Sequence, residues 1–93
     1  MFLILSDHGK HGTEWTVSTS GREALIIDLI AMQWDKPLRV VEVNLDEGWN
    51  SDVSEDIAHE IAARRNDYYP PALLDFLETH TSTELVHELT EAA

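Results

Sequence analysis

The sequence has 93 residues, 43% hydrophobic and 26% charged, which is typical of a globular chain, and we expect a single domain over residues 1–93. It contains no cysteine, which excludes disulfides, thiolate zinc sites, iron–sulfur clusters and cysteine nucleophiles. Eighteen acidic and six basic residues give a formal charge of −12, which argues against direct binding of nucleic acid or of an anionic membrane, because both depend on Lys and Arg.

The chain begins with an apolar run, Met1 to Leu5, that lacks the basic residues and the cleavage site of a signal peptide. Residues 2–5 (FLIL) and 14–20 (EWTVSTS) are β-prone and flank a glycine-containing loop, which predicts a hairpin. We expect the first strand to be buried on both faces, because it is apolar throughout. No stretch is long enough to span a membrane. These features favour a cytoplasmic, bacterial-type protein over an extracellular protein without cysteine.

A helix and a third strand are predicted next. Ser20 lies three residues before Glu23, a capping box that predicts a helix from about residue 21 to residue 34. The apolar arc of this helix is wider than one stripe, so we expect either a central core helix or a helix that meets another chain. Pro37 ends the helix, and residues 38–45 (LRVVEVNL) predict a strand.

The rest of the chain predicts three more helices. Residues 46–56 (DEGWNSDVSED) have the composition of a turn and helix cap, followed by an amphipathic helix that runs to about Arg65. Residues 71–80 (PALLDFLETH) predict the next helix, and Thr81 with Glu84 predicts a capping box for the last. The residues expected to face the core are Val53, Ile57, Ala58, Ile61, Ala62, Leu73, Leu74, Phe76, Leu77, Leu85, Val86 and Leu89.

The predicted order of elements is therefore ββαβααα, an α+β fold. A crossover through the first helix places the third strand beside the first, which gives a three-stranded sheet of order 2-1-3 with the first strand antiparallel to both neighbours. A right-handed crossover places the first helix on one face of this sheet. The remaining helices are expected to cover that face or flank its edges.

The stretch SDHGKHGTEW contains Asp7, His8 and His11 around two glycines. A metal site needs three or four ligands, and the two histidines supply at most two, with Asp7 a weak third. The simpler interpretation is a turn in which the glycines adopt positive φ and Asp7 makes a local hydrogen bond. We therefore predict neither a metal nor a cofactor, and keep His8 and His11 only as weak candidates for metal ligands.

Sequence signatures of catalysis are absent: there is no G-x-S-x-G, no H-E-x-x-H and no glycine-rich phosphate loop. Adjacent carboxylates, such as Asp46 with Glu47 or Glu55 with Asp56, are expected to be solvated. Acid–base catalysis needs environments that separate the pKa values of the two groups, which an open helix face does not provide. We therefore predict that the protein is not an enzyme.

Six acidic residues and no basic residue lie between Asp46 and Glu60. The four expected on the outer face of the second helix are Asp52, Glu55, Asp56 and Glu60. Such a run is commonly a solvated face that keeps a small protein soluble, and its alternative is a docking surface for a basic protein. Aromatic residues near charge are frequent interface anchors, and those near the ends of this helix are Trp49, Tyr68 and Tyr69.

The function predicted from these residues is a non-enzymatic protein-interaction or regulatory module that docks a basic partner through the acidic helix face. Two alternatives remain open. One is a small metal-dependent binder or enzyme that uses the loop of His8 and His11. The other is a self-associating domain, so that the protein is either a monomer or a homodimer.

Overall fold

The computed structural model describes residues 1–31, 36–64 and 69–91. In chain order the elements are β1 (Phe2–Asp7), β2 (Thr13–Ser18), α1 (Arg22–Ile30), β3 (Pro37–Asn44), β4 (Trp49–Asp52), α2 (Ser54–Ala63), α3 (Pro71–His80) and α4 (Thr83–Glu91). A short 3₁₀ helix over Gly9–His11 joins β1 to β2, so the helix count differs from the prediction.

The strands form one antiparallel sheet of order β2-β1-β3-β4. The α+β class and the central, antiparallel position of β1 are confirmed, but the prediction of three strands is wrong. The fourth strand runs beside β3, with Asn44 opposite Trp49 and Val41 opposite Asp52. Its four residues, WNSD, show no apolar alternation, so they have the composition of a turn. Gly48, at φ 72°, provides the tight reversal that brings them back onto β3.

One face of the sheet packs against the helices. Phe2 and Ile4 of β1 and Val40 of β3 belong to the buried core, and the register places Ile4 directly opposite Val40. The helix and loop residues in the same core are Leu25, Ile26, Leu29, Val53, Ile57, Ala58, Ile61, Ala62, Tyr69, Leu73, Phe76, Leu77, Val86 and Leu89. Leu74 and Leu85 pack against it while partly buried. The inward faces predicted for the last three helices are therefore confirmed.

Burial alternates along β1, which corrects the expectation that this strand is covered on both sides. Phe2, Ile4 and Ser6 are buried, whereas Leu3 and Leu5 are only half-buried on the opposite face. The reason is that, in the described part of the chain, the helices pack against only one face of the sheet.

The first helix begins without the predicted capping box. Its N-cap residue is Gly21, and no side chain accepts a hydrogen bond there. Oε2 of Glu23 instead accepts a hydrogen bond from Nη2 of Arg64 at 2.6 Å. The described helix ends at Ile30 with Ala31 as its C-cap, and residues 32–34 of the predicted helix lie outside the described residues.

The N-cap of α4 is Ser82, one residue after the predicted cap at Thr81. Ser82 accepts a hydrogen bond from the backbone N–H of Leu85 at 3.1 Å, as an N-cap side chain does. The hydroxyl of Thr81 donates instead to the carbonyl of Leu77, near the end of α3. Thr81 therefore ends the preceding helix, and the predicted capping box with Glu84 is wrong.

The first half of β3 lies beyond the reach of the short β4, and other groups bind its edge. The N–H of Val53 donates to the carbonyl of Val40 at 2.9 Å, and the Ser54 hydroxyl accepts the N–H of Val40 at 2.7 Å. Nε2 of His80 lies 2.7 Å from the carbonyl oxygen of Leu38. These bonds fix α2 and the end of α3 against the sheet. They also give hydrogen-bond partners to backbone groups of β3 that β4 does not reach.

Candidate functional site

The four acidic residues predicted to share one helix face do not form a single unpaired surface. Asp52 belongs to β4, where its Oδ2 atom binds Nη1 of Arg39 at 2.7 Å. Oε2 of Glu60 binds Nε of Arg22 at 2.6 Å. Two of the four carboxylates are therefore neutralised within the chain, a pairing that a linear sequence of acids does not reveal.

The other two, Glu55 and Asp56, are exposed in the first turn of α2. Oε1 of Glu55 lies 3.9 Å from Nε2 of His59. Carboxylates are favourable at this position in any case, because the first turn of a helix carries a partial positive charge. Their exposure leaves them accessible to a partner, but their position has a structural explanation of its own.

Two carboxyl groups have pKa values below their ordinary range. For Asp52, partial burial acts to raise the pKa, but hydrogen bonds from Ser54 and Arg39 outweigh it and lower the pKa. For Glu23, the hydrogen bond from Arg64 lowers the pKa, and the same contact raises the pKa of Arg64. Both effects hold the ion pairs in their charged form, as structural ion pairs do, and neither resembles the raised carboxyl pKa of a general acid.

The predicted aromatic anchors occupy different environments. Trp49 begins β4 instead of lying in a loop, is exposed, and donates from Nε1 to Oε2 of Glu47 at 2.8 Å. Tyr69 is buried in the core, with its hydroxyl 3.4 Å from the carbonyl oxygen of Ile61, so little of its side chain is open to a partner. Tyr68 lies outside the described residues.

The histidine loop has the geometry of a turn. Gly9 and Gly12 have φ values of 67° and 83°, and Oδ1 of Asp7 accepts the N–H of Gly9 at 2.8 Å. Nε2 of His8 lies 3.3 Å from Oε2 of Glu14, whereas His11 is exposed. Across the described ranges, no group of three or more His, Asp or Glu side chains is placed to hold a metal ion.

A cleft of about 530 Å³ lies between the start of β3 and α3. Its size suits a small ligand, but most of its charged side chains are engaged in contacts within the chain. Lys36 lies 3.6 Å from Asp75, and the Arg39 guanidinium binds Asp52. The ring of His80 packs against Phe76 with centroids 4.7 Å apart. The cleft therefore offers no convergent set of uncommitted polar groups.

The second face of the sheet carries apolar side chains on three neighbouring strands, outside the core. In an antiparallel sheet, residues directly opposite each other share a face, and here Leu3 lies opposite Val17 and Val41, and Leu5 opposite Trp15. The apolar residues of this surface, which we name the open sheet face, are Leu3, Leu5, Trp15, Val17, Val41 and Val43.

The open sheet face is exposed where β2 forms the edge of the sheet. Trp15 is 49% exposed and Val17 is 54% exposed, whereas the residues on β1 and β3 are half-buried. No element in the described part of the chain packs over this surface. Trp15 and Val17 alternate with Thr16 and Ser18, a pattern typical of a strand with one wet face. The two apolar residues are nevertheless the exposed ones, since Thr16 is only partly exposed and Ser18 is buried.

The edge of β2 is a second open feature. One edge of this strand pairs with β1, while the other pairs with no strand among residues 1–31, 36–64 and 69–91. Its sequence, TEWTVS, contains neither proline nor lysine, the residues that often protect an edge from pairing with another chain.

None of the helices in the described part of the chain has the length and apolar character needed to cross a bilayer. No family model, curated protein or solved structure matches the chain, so the assignment of function depends on the residues themselves.

Proposed function

We propose that this protein is a non-enzymatic protein-interaction module whose binding surface is the open sheet face. The observation that carries the proposal is a contiguous apolar surface on three adjacent strands, with Trp15 and Val17 about half exposed. A contiguous apolar patch rimmed by polar residues is often a site of association. A cytoplasmic setting without direct contact to nucleic acid or membrane belongs to the same proposal, supported by the charge of −12.

Trp15 is the proposed anchor of the interface. Tryptophan dominates binding energy in many interfaces because its ring buries a large apolar area with few rotatable bonds. Its partner in the register of the neighbouring strand is Leu5, which lies on the same face of the sheet. A partner that covers this surface would remove Trp15 and Val17 from water together.

The non-enzymatic part of the proposal is supported by the way the charged groups are used. Arg22, Arg39 and Arg64 each bind a carboxylate of the same chain. The ring of His80 is held against Leu38 and Phe76. These contacts stabilise the fold and commit the three guanidinium groups and the imidazole ring to partners within the chain.

A basic protein partner remains a second candidate, because Glu55 and Asp56 are exposed in a chain with a large acidic excess. Association through these two carboxylates would be steered by charge, and it would weaken as salt rises. The variant Glu55→Gln with Asp56→Asn tests this candidate, because it leaves the ion pairs of Asp52 and Glu60 intact.

The experiment for the main proposal is cross-linked capture from cells of the native host with three forms of the chain. Wild type is compared with Trp15→Ser and with Ile27→Lys. The last is a matched control, since Ile27 is 51% exposed but lies on α1, away from the sheet. We expect Trp15→Ser to lose its cross-linked partner while Ile27→Lys retains it. Equal capture by wild type and Trp15→Ser would contradict the open sheet face as the binding surface.

A further inference from the structure

We infer that the occupant of the open sheet face is a second copy of this chain, with the two sheets packed face to face. This inference rests on the proposed function and names its partner. A sheet with helices on one side and apolar residues on the other is half of a sandwich, and aligned sheets pack about 10 Å apart through such faces. An identical surface on both copies satisfies the requirement of a two-fold interface.

The distribution of charge favours a second copy over a charged partner. The chain has 18 acidic residues, yet the acids placed by the register on this face are Asp7 and Asp52, at strand ends. Asp52 is also neutralised by Arg39, which shares the face. A strongly basic partner would therefore find little complementary charge here, whereas a copy of the same nearly neutral face brings few like charges together.

Face-to-face packing also separates the acidic helices. In such a dimer the two sheets lie about 10 Å apart. Each helix layer lies on the far side of its own sheet, so the two helix layers are farther apart than the sheets. Exposed charges are screened within about 8–10 Å at physiological ionic strength, so repulsion between the two helix layers is weak. Two chains of charge −12 can then associate, and added salt should strengthen their association.

The area of the face indicates a weak, reversible dimer. With about 3.3 Å per residue and about 4.8 Å between strands, six-residue strands in a four-stranded sheet present roughly 400 Å² per copy. Two copies would bury on the order of 800 Å², below the roughly 1,200 Å² at which standard stable interfaces begin. The monomer should therefore dominate at low concentration, with the dimer forming as concentration rises.

Sedimentation across micromolar to millimolar concentration, at low and near-molar salt, tests the inference with four proteins. They are wild type, Trp15→Ser, Val41→Lys and the control Ile27→Lys, each checked for folding by circular dichroism. We expect a concentration-dependent dimer in wild type and Ile27→Lys. Trp15→Ser and Val41→Lys should each raise its dissociation constant at least about tenfold, because both remove apolar contact from the same face.

Three results would overturn the inference. A wild-type chain that is monomeric at every concentration and salt would exclude the second copy. A dimer that survives Val41→Lys would indicate pairing through the edge of β2, since Val41 lies two strands away. A dimer lost in Ile27→Lys would place the interface on α1.

The proposed function fails separately from this inference. If the chain stays monomeric while Trp15→Ser loses a cross-linked host partner, the open sheet face binds another protein and only the second copy is excluded. If neither dimer nor cross-linked partner depends on Trp15, both proposals fail.

Discussion

The two faces of the sheet differ more than the sequence of its central strand suggests. Ile4 is fully buried beneath the helices, while its neighbours Leu3 and Leu5, of equal apolar character, are half-buried on the other face. A continuous apolar strand is therefore not evidence that the same chain covers both of its faces. The number of layers depends on where the helices pack, which the strand itself does not encode.

The helix layer and the open sheet face also differ in the ion pairs that they carry. The ion pairs Arg22–Glu60 and Arg64–Glu23 tie α1 to the end of α2 within the helix layer. Within the described residues, the open sheet face carries the ion pair Arg39–Asp52, where β3 lies beside β4. The outer surface of the helix layer is therefore polar, whereas the open sheet face is largely apolar. This asymmetry separates the surface proposed to bind from the surface that carries the ion pairs of the helices.

The largest expected effect comes from comparing neighbouring residues on the two faces. Ile4→Ala should lower the free energy of unfolding by about 2–5 kcal/mol, because it leaves a cavity in the buried core. Leu3→Ala should cost less than about 2 kcal/mol, since much of its side chain already contacts water. Urea unfolding at low micromolar concentration, where the monomer dominates, measures both. Equal costs for the two changes would show that the open sheet face is covered within one chain.

The second prediction concerns two buried serines, Ser54 and Ser6, which are 1% and 2% exposed. Ser54→Ala should cost about 1–3 kcal/mol, because it leaves the N–H and carbonyl of Val40 without the serine hydroxyl. The hydroxyl of Ser6, on the covered face, forms no hydrogen bond with any described residue. Ser6→Ala should therefore be neutral or stabilise the chain by up to about 1 kcal/mol.

Chemical denaturation of the two alanine variants, side by side, checks this prediction. The pair is matched, since each change removes one buried hydroxyl from a serine. A loss of stability in Ser6→Ala as large as that in Ser54→Ala would mean that the Ser6 hydroxyl has a partner, such as an ordered water.

Much of the fold follows from the sequence, because periodicity identifies which residues of a helix face inward. Val53, Ile57 and Ile61 recur at helical spacing, and all three are buried. The position of β1 between β2 and β3 follows from the crossover through the first helix. Local pattern and chain connectivity were sufficient for both.

The fourth strand and the candidate site were not predictable in the same way. The residues of β4 are polar and few, and they form a strand only because Gly48 turns them onto β3. The acidic residues looked like one surface, but Arg39 and Arg22 approach Asp52 and Glu60 from other elements. Such long-range pairings depend on tertiary structure and leave no local pattern.

The smallest expected effect belongs to the ion pair on the open sheet face. Asp52→Asn should lower the free energy of unfolding by no more than about 1 kcal/mol, because the pair with Arg39 is partly solvated. The pKa of Asp52 is lowered in the folded chain, so its contribution is present above the ordinary carboxyl pKa of about 3.9 and is lost as pH falls below it. The deficit of the variant should therefore be seen at neutral pH and disappear in acid.

Urea unfolding across this pH range measures the deficit in the free energy of unfolding, with Asp46→Asn, a change at an exposed turn residue, as control. A deficit that is unchanged in acid would show that Asp52 acts through its shape and hydrogen bonds, not through its charge.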